Sequence, residues 1–305
     1  MSWGGTIAEG PEAGAPFPAF FGASWVGSPP SHIELARYVV QWDVTSGVGY
    51  PEELANLRRW YEHTVELQLT PDLALENYNC SGCLAPQNVA EYTSALQALL
   101  QSFPDIKIVE AWNEPNNAHY TSHLTPAVAA QYMNAAYALC QADGCTAIAG
   151  DFLDSEAGLG EYERSYERHL LPRDPGDWAI HPYHAVKYMS DSTVVSFKAA
   201  LPSPATDHIW FTEVGAYYCE SGTTYGEQAQ AEQARFLVEE LIPEIRPAHV
   251  FYYELAAGHD APPACNSQQD DTALYAPARP GGPLLARAAA GIIFGSYLLQ
   301  QPFEG

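Results

Sequence analysis

Basic residues are scarce in this chain: 13 Lys plus Arg stand against 37 Asp plus Glu among 305 residues, a formal net charge of −24. So negative a surface repels phosphate backbones and anionic lipid, which excludes nucleic acid and membrane as expected partners and disfavours a polyanionic substrate. Long apolar runs are missing as well. No stretch approaches the roughly 18 consecutive apolar residues that a transmembrane helix needs. The first residues, Met1-Ser-Trp-Gly-Gly-Thr6, lack a basic segment leading into an apolar one, so they do not read as a signal peptide. If the protein is secreted, its leader has been removed. No G-x-G-x-x-G or Walker sequence follows a strand-like run, so no glycine loop is there to cradle a nucleotide, and no cofactor is expected.

Six cysteines are present, as Cys80 and Cys83, Cys140 and Cys145, and Cys219 and Cys265. An even count suggests disulfides and an oxidising, extracellular setting. A zinc site built on Cys80-Ser-Gly-Cys83 would need a second half, and Cys140-Gln-Ala-Asp-Gly-Cys145 has the wrong spacing for one. The expected pairs are Cys80–Cys83, Cys140–Cys145 and Cys219–Cys265, with no metal.

The pattern along the chain is repetitive. Residues 1–18 are rich in Gly, Pro and Ala and read as an irregular arm. Over 19–305, short apolar runs near 19–24, 38–42, 65–70, 106–113, 146–151, 178–183, 208–213 and 249–254 alternate with helical patterns. Pro51–Trp60 opens with Pro and acids, as a helix start should. Further helices are predicted over Val89–Leu100, Thr125–Cys140, Glu227–Ile242 and Leu284–Leu299. Only Pro29-Pro-Ser-His-Ile-Glu-Leu35 separates the first two runs, so the first helix is degenerate. Eight strand-like runs alternating with helices predict a single (β/α)8 TIM barrel of the α/β class. The chain is expected to act as a monomer.

Two glutamates stand out. Glu114 lies in Ala111-Trp-Asn-Glu-Pro-Asn116, after the apolar run Ile106–Val109, and Pro115 stops the strand. Glu213 closes His208-Ile-Trp-Phe-Thr-Glu213 and is followed by Val-Gly. Strand ends converge at the C-terminal face of a barrel, so two such carboxyls face one cleft. Paired carboxyls are the equipment for cleaving a glycosidic bond.

The endings Trp112-Asn-Glu-Pro115 and Phe211-Thr-Glu213 resemble clan A of the retaining glycoside hydrolases, (β/α)8 barrels with the acid/base after strand four and the nucleophile on strand seven. The likeness runs over about residues 19–300 and is nearest to small barrels such as families 39 and 128. It implies that Glu114 is the acid/base and Glu213 the nucleophile. By the same resemblance Asn113 binds the sugar 2-hydroxyl, and His181 and Tyr183 of Trp178-Ala-Ile-His-Pro-Tyr183 steady the carboxylates. Tyr252, Tyr253 or Glu254 stands where the clan often has a sugar-platform tryptophan. Several clan families place an arginine at the end of strand two, where this chain has Gln41-Trp-Asp43. Trp42 and Trp112 are expected to stack on sugar faces, and Asp43, Asp151 and Asp154 to bind hydroxyls. The implied substrate is a neutral poly- or oligosaccharide. Transfer to another sugar, with the same residues, is the first alternative; a catalytically silent carbohydrate-binding barrel is the second. A metal-dependent hydrolase is disfavoured, because barrel metallohydrolases usually carry His-X-His on strand one and Phe20-Phe-Gly-Ala-Ser24 has no histidine.

Overall fold

The computed structural model describes residues 2–6, 33–46, 51–77, 85–118, 123–253, 265, 271–277 and 284–293. Eight parallel strands close into a barrel: β1 Ser2–Thr6, β2 Ile33–Gln41, β3 Thr70–Glu76, β4 Ile108–Glu110, β5 Thr146–Leu153, β6 Asp177–His181, β7 His208–Val214 and β8 His249–Tyr252. Each pairs with the next in sequence, and β8 returns to β1. The helices between them include α1 Pro51–Glu66, α2 Val89–Ser102, α3 Pro126–Asp143, α4 Leu159–Glu167, α5 Tyr183–Tyr188, α6 Ser192–Ala200 and α7 Gly226–Phe236. The expected α/β barrel is what the chain forms.

Local chemistry sets the helix ends. Pro51 opens α1, and the buried Glu53 accepts the Gln41 N–H at 2.7 Å, tying the helix start to the end of β2. Asn88 caps α2 by accepting the Glu91 N–H at 3.0 Å, while Glu91 reaches back to the Gln87 N–H at 2.6 Å. Thr125-Pro126 starts α3 and Gly144, at φ 73°, ends it.

Inside the barrel, Leu35, Ile108, Ile148, Ala179, Trp210 and Phe251 form an apolar floor. Side chains two residues apart on a strand share a face, so the next layer up holds Arg37, Glu110, His181 and Thr212, all buried. Two strands leave this alternation. Pairing of β5 with β6 slips between Gly150 and Phe152, which brings in Asp151, three residues after floor residue Ile148 rather than two. Pairing of β7 with β8 slips where Val250 and Tyr252 face Phe211 and Val214, which re-aims the Thr212–Glu213 stretch. Bulges of this kind redirect side chains beside active sites. The first requires glycine: Gly150 sits at φ 94°, and a Cβ there would lie 2.7 Å from Ala179 O.

Three expectations need correction. Residues 2–6, assigned to an irregular arm, are a barrel strand joining β8 to β2; the run at 19–24 lies outside the described residues. The run at 65–70 ends α1, and Val65 and Leu67 are exposed there. The real third strand, Thr70–Glu76, was masked by interior polar residues, Asp72 above all, that break its apolar run. Leu284–Ala286 is not the start of a helix but a strand antiparallel to Tyr275–Pro277, and helix begins only at 288. No helix among the described residues is long and apolar enough to cross a membrane.

Candidate active site

Glu114 stands beyond β4 with its backbone at φ 43°, and its N–H donates to Asp151 O at 3.1 Å; Asp151 is itself at φ 60°. A non-glycine residue in this region costs about 1–3 kcal/mol and persists only when its surroundings over-determine it. Here Asn113 N is bound to Leu75 O at 2.7 Å, and Asn117 N to Glu114 O at 3.0 Å. The Glu114 carboxyl meets Asn117 Nδ2 at 2.7 Å through Oε2 and His181 Nδ1 at 2.9 Å through Oε1. Glu213, on the re-aimed end of β7, accepts from Tyr183 Oη at 3.1 Å and from Arg37 Nη1. One oxygen of Glu114, one of Glu213 and a nitrogen of His181 all lie within 4.8 Å of one another.

Arg37 on β2 is the hub beneath them. Its guanidinium clasps Glu110 in two bonds of 2.7 and 2.6 Å and donates to Asn113 Oδ1 at 2.9 Å and Asp151 Oδ2 at 3.1 Å. His181 Nε2 faces Asp151 Oδ1 at 2.7 Å. Both ring nitrogens therefore face carboxyl oxygens, the arrangement of an imidazolium that donates twice. Burial disfavours the His181 charge, yet Asp151, Glu213 and the hydrogen bonds outweigh it and push the imidazole up to about 10. Burial likewise opposes the charge of Asp151, but His181 and Arg37 hold its carboxyl well below the usual range. Thr212 adds a third donor to Asp151 at 2.6 Å.

Of the residues singled out from sequence, Glu114, Glu213, Asn113, Asp151, His181 and Tyr183 converge here. Asp154 instead accepts from His184 N at 2.7 Å and Ala185 N at 2.9 Å at the start of α5, so it holds the helix that carries Tyr183. Trp42 and Trp112, expected to stack on sugar faces, are both buried in the hydrophobic core, and Trp112 packs on Tyr132 at 5.2 Å and Tyr92 at 6.3 Å. Asp43 is half-buried past the end of β2 and bound to Gln41 Nε2 at 3.0 Å. Tyr253 is half-buried one residue past β8, its N–H bound to Val214 O at 2.9 Å, and Glu254 lies outside the described residues. Cys219–Cys265 and Cys140–Cys145 are disulfides as expected; Cys80 and Cys83 lie outside the described residues. The first bridge staples the hairpin after β7, which Glu220 also ties to Lys187 of α5.

Sequence reasoning missed Arg37, Glu110, Glu76 and Asn117. The arginine sought at the end of strand two sits four residues earlier, inside the strand. Its signal was available: a cation in the apolar run Leu35–Val40 of a chain with few cations.

Two triads, Glu110-Asp151-His181 and Glu114-His181-Glu213, have ligand atoms close enough for a cation. An imidazolium has no lone pair to give, and Arg37 already pairs with Glu110, Asp151 and Glu213. The donor set does not fit a metal.

Several solved structures share the fold. A family 39 glycoside hydrolase from the gut symbiont Bacteroides cellulosilyticus WH2 aligns with a TM-score of 0.60 at 16% identity, over 88% of this chain and 59% of that one. This chain thus spans under two thirds of that protein's length. A family 10 xylanase from Bispora sp. MEY-1, solved with xylobiose, aligns with a TM-score of 0.62 at 10% identity, covering 87% and 88%. The family 5 glycoside hydrolase of Prevotella bryantii B14 aligns with a TM-score of 0.60 at 12% identity, covering 97% and 95%. No curated protein sequence matches the chain. The model of the glycosyl hydrolase catalytic core family matches residues 82–247, a span that includes both glutamates and more than half of the sequence. On that match, the chain belongs to the glycosyl hydrolase catalytic core family.

Proposed function

We propose that the protein is a retaining glycoside hydrolase that cleaves a neutral poly- or oligosaccharide by double displacement, with Glu213 as nucleophile and Glu114 as acid/base. The observation that carries this reading is the approach of Glu114 and Glu213 to within 4.8 Å, oxygen to oxygen, at the mouth of the barrel. Retaining enzymes hold their carboxyl groups about 5–5.5 Å apart, whereas inverting ones leave about 6.5–9.5 Å for a water.

In the first step a Glu213 oxygen bonds to the anomeric carbon as the glycosidic bond breaks, and Glu114 gives its proton to the departing oxygen. In the second, Glu114 takes a proton from water, the water oxygen bonds to the anomeric carbon, and Glu213 leaves as carboxylate. Arg37 and Tyr183 each donate to one oxygen of Glu213, stabilising the negative charge that attacks and later departs. His181 donates to Glu114 Oε1, a contact that an acid carbonyl and a carboxylate can both accept, so Glu114 stays aimed through both steps. Secretion into an oxidising compartment agrees with the two disulfides.

The test is a panel of neutral β-glucans, mannans, galactans, xylans and aryl glycosides. Release of reducing sugar or aryl alcohol from one class, lost in Glu213→Ala, supports the reading. Saccharide binding without turnover would support the catalytically silent barrel instead.

A further inference from the structure

Glu76 ends β3 beside Asn113. Asn113 Nδ2 donates to Glu76 Oε2 at 2.8 Å, and on the other side Arg37 Nη2 donates to Asn113 Oδ1 at 2.9 Å. A side-chain amide turned over by half a rotation fills nearly the same space, so packing alone does not choose between its two orientations. These two neighbours do choose. A guanidinium only donates, and therefore requires the amide oxygen on its side; the Glu76 oxygen that faces Nδ2 accepts. Turning the amide over would set its NH2 against the guanidinium, donor against donor.

We propose that Glu76 is a positioning residue: together with Arg37 it fixes the Asn113 amide in one orientation and leaves the second Nδ2 hydrogen for a hydroxyl of the sugar at the bond being cleaved. This rests on the glycosidase reading given above. Asn113 immediately precedes Glu114, and its amide shares Arg37 with Glu213, so the amide belongs to the same network as the two carboxyls assigned to the chemistry.

The protonation state of Glu76 supports the arrangement. Burial pushes its carboxyl up; the Asn113 hydrogen bond and Arg37 pull the other way, and the charges of Glu114 and Glu213 add to the rise, to about 8. These surroundings favour the uncharged form of Glu76. In that form Oε2 still accepts from Asn113, and no further negative charge is added beside the two carboxyls that do the chemistry. A glutamine reproduces this neutral acceptor, and an alanine does not.

The experiment pairs enzyme variants with a substrate lacking one hydroxyl. Wild type, Glu76→Gln and Glu76→Ala are assayed at pH 6.5 on the aryl glycoside the wild type cleaves best, and on its 2-deoxy counterpart. Losing the amide's grip on a hydroxyl should lower kcat/KM of Glu76→Ala on the parent glycoside about 10–100-fold, against under about 3-fold on the 2-deoxy compound. Glu76→Gln should recover most of the loss. Asn113→Ala should show the same substrate pattern, and adding Glu76→Ala to it should cost little more. If Glu76→Ala does not fold, Glu76→Leu, which keeps the bulk and loses the acceptor, takes its place. Equal losses on both substrates, or a Glu76→Gln variant as poor as Glu76→Ala, overturn the positioning role while leaving the glycosidase reading intact. A wild type that cleaves no glycoside overturns both.

Discussion

Arg37 and Glu110 form a two-pronged ion pair, Nε to Oε1 at 2.7 Å and Nη2 to Oε2 at 2.6 Å, with neither side chain exposed to solvent. Buried charges persist in a fold only when paired and hydrogen-bonded. This pair sits directly under the two carboxyls assigned to the chemistry, so the platform and the reactive groups are parts of one electrostatic network.

Removing Arg37 strands Glu110, Asp151 and Glu213 together. Arg37→Ala is expected to lower unfolding stability by about 3–5 kcal/mol, the usual cost of leaving a buried charge unpaired. Denaturant titration of both proteins measures it. A loss below about 1 kcal/mol would mean the network is dispensable to the fold.

His181 makes stability fall at alkaline pH. Its folded-state value near 10 lies above the unfolded value of about 6.5. Its contribution is therefore fully present below pH about 6.5 and disappears as pH rises through about 10, on the order of a few kcal/mol. Unfolding midpoints from pH 6 to 10 should fall more steeply for wild type than for His181→Asn. Parallel curves would contradict the charged imidazole.

The two glutamates should respond differently to substitution. Glu213→Ala should stop turnover, and azide should restore it as a glycosyl azide of inverted configuration. Glu114→Ala should keep fast cleavage of glycosides with good leaving groups and slow natural glycosides by about 100-fold or more. Equal losses on both substrate classes would remove the acid role from Glu114.

Of the two disulfides among the described residues, Cys219–Cys265 closes the longer loop, with a separation of 46 against 5 for Cys140–Cys145. Loop-closure entropy gives about 4 kcal/mol for the first and about 2 for the second. Replacing Cys219 and Cys265 by serine should therefore lower the unfolding midpoint more. It should also weaken substrate affinity, because this bridge holds the hairpin next to α5. Equal effects of the two replacements would contradict that role.

How much was legible in the sequence depended on where a residue sat in the strand pattern. Glu114 and Glu213 could be read because each is followed by a chain breaker at the end of an apolar run; Asn113, His181 and Tyr183 came with the family resemblance. Arg37 and Glu110 were not, because a charge in the middle of a strand looks like an interruption until the barrel interior is seen to be polar one layer above its floor. The same polar layer hid β3, whose Asp72 faces inward. β1 escaped because Gly4 and Gly5 give it no apolar pattern, although its backbone pairs with β2 and β8. The packing of Trp112 was hidden for the opposite reason: standing beside Asn113 and Glu114 suggested the cleft, while its ring packs on Tyr132. The bulges at Asp151 and Glu213 carry no strong sequence mark beyond Gly150.

The measurement that tests the account most directly is the anomeric configuration of the first product released, followed by proton NMR before mutarotation. Glu114 and Glu213 bring one oxygen each to within 4.8 Å, nearer the spacing of retaining than of inverting enzymes, so the product should keep the configuration of the substrate. A first product of inverted configuration would contradict the assignment of Glu213 as nucleophile.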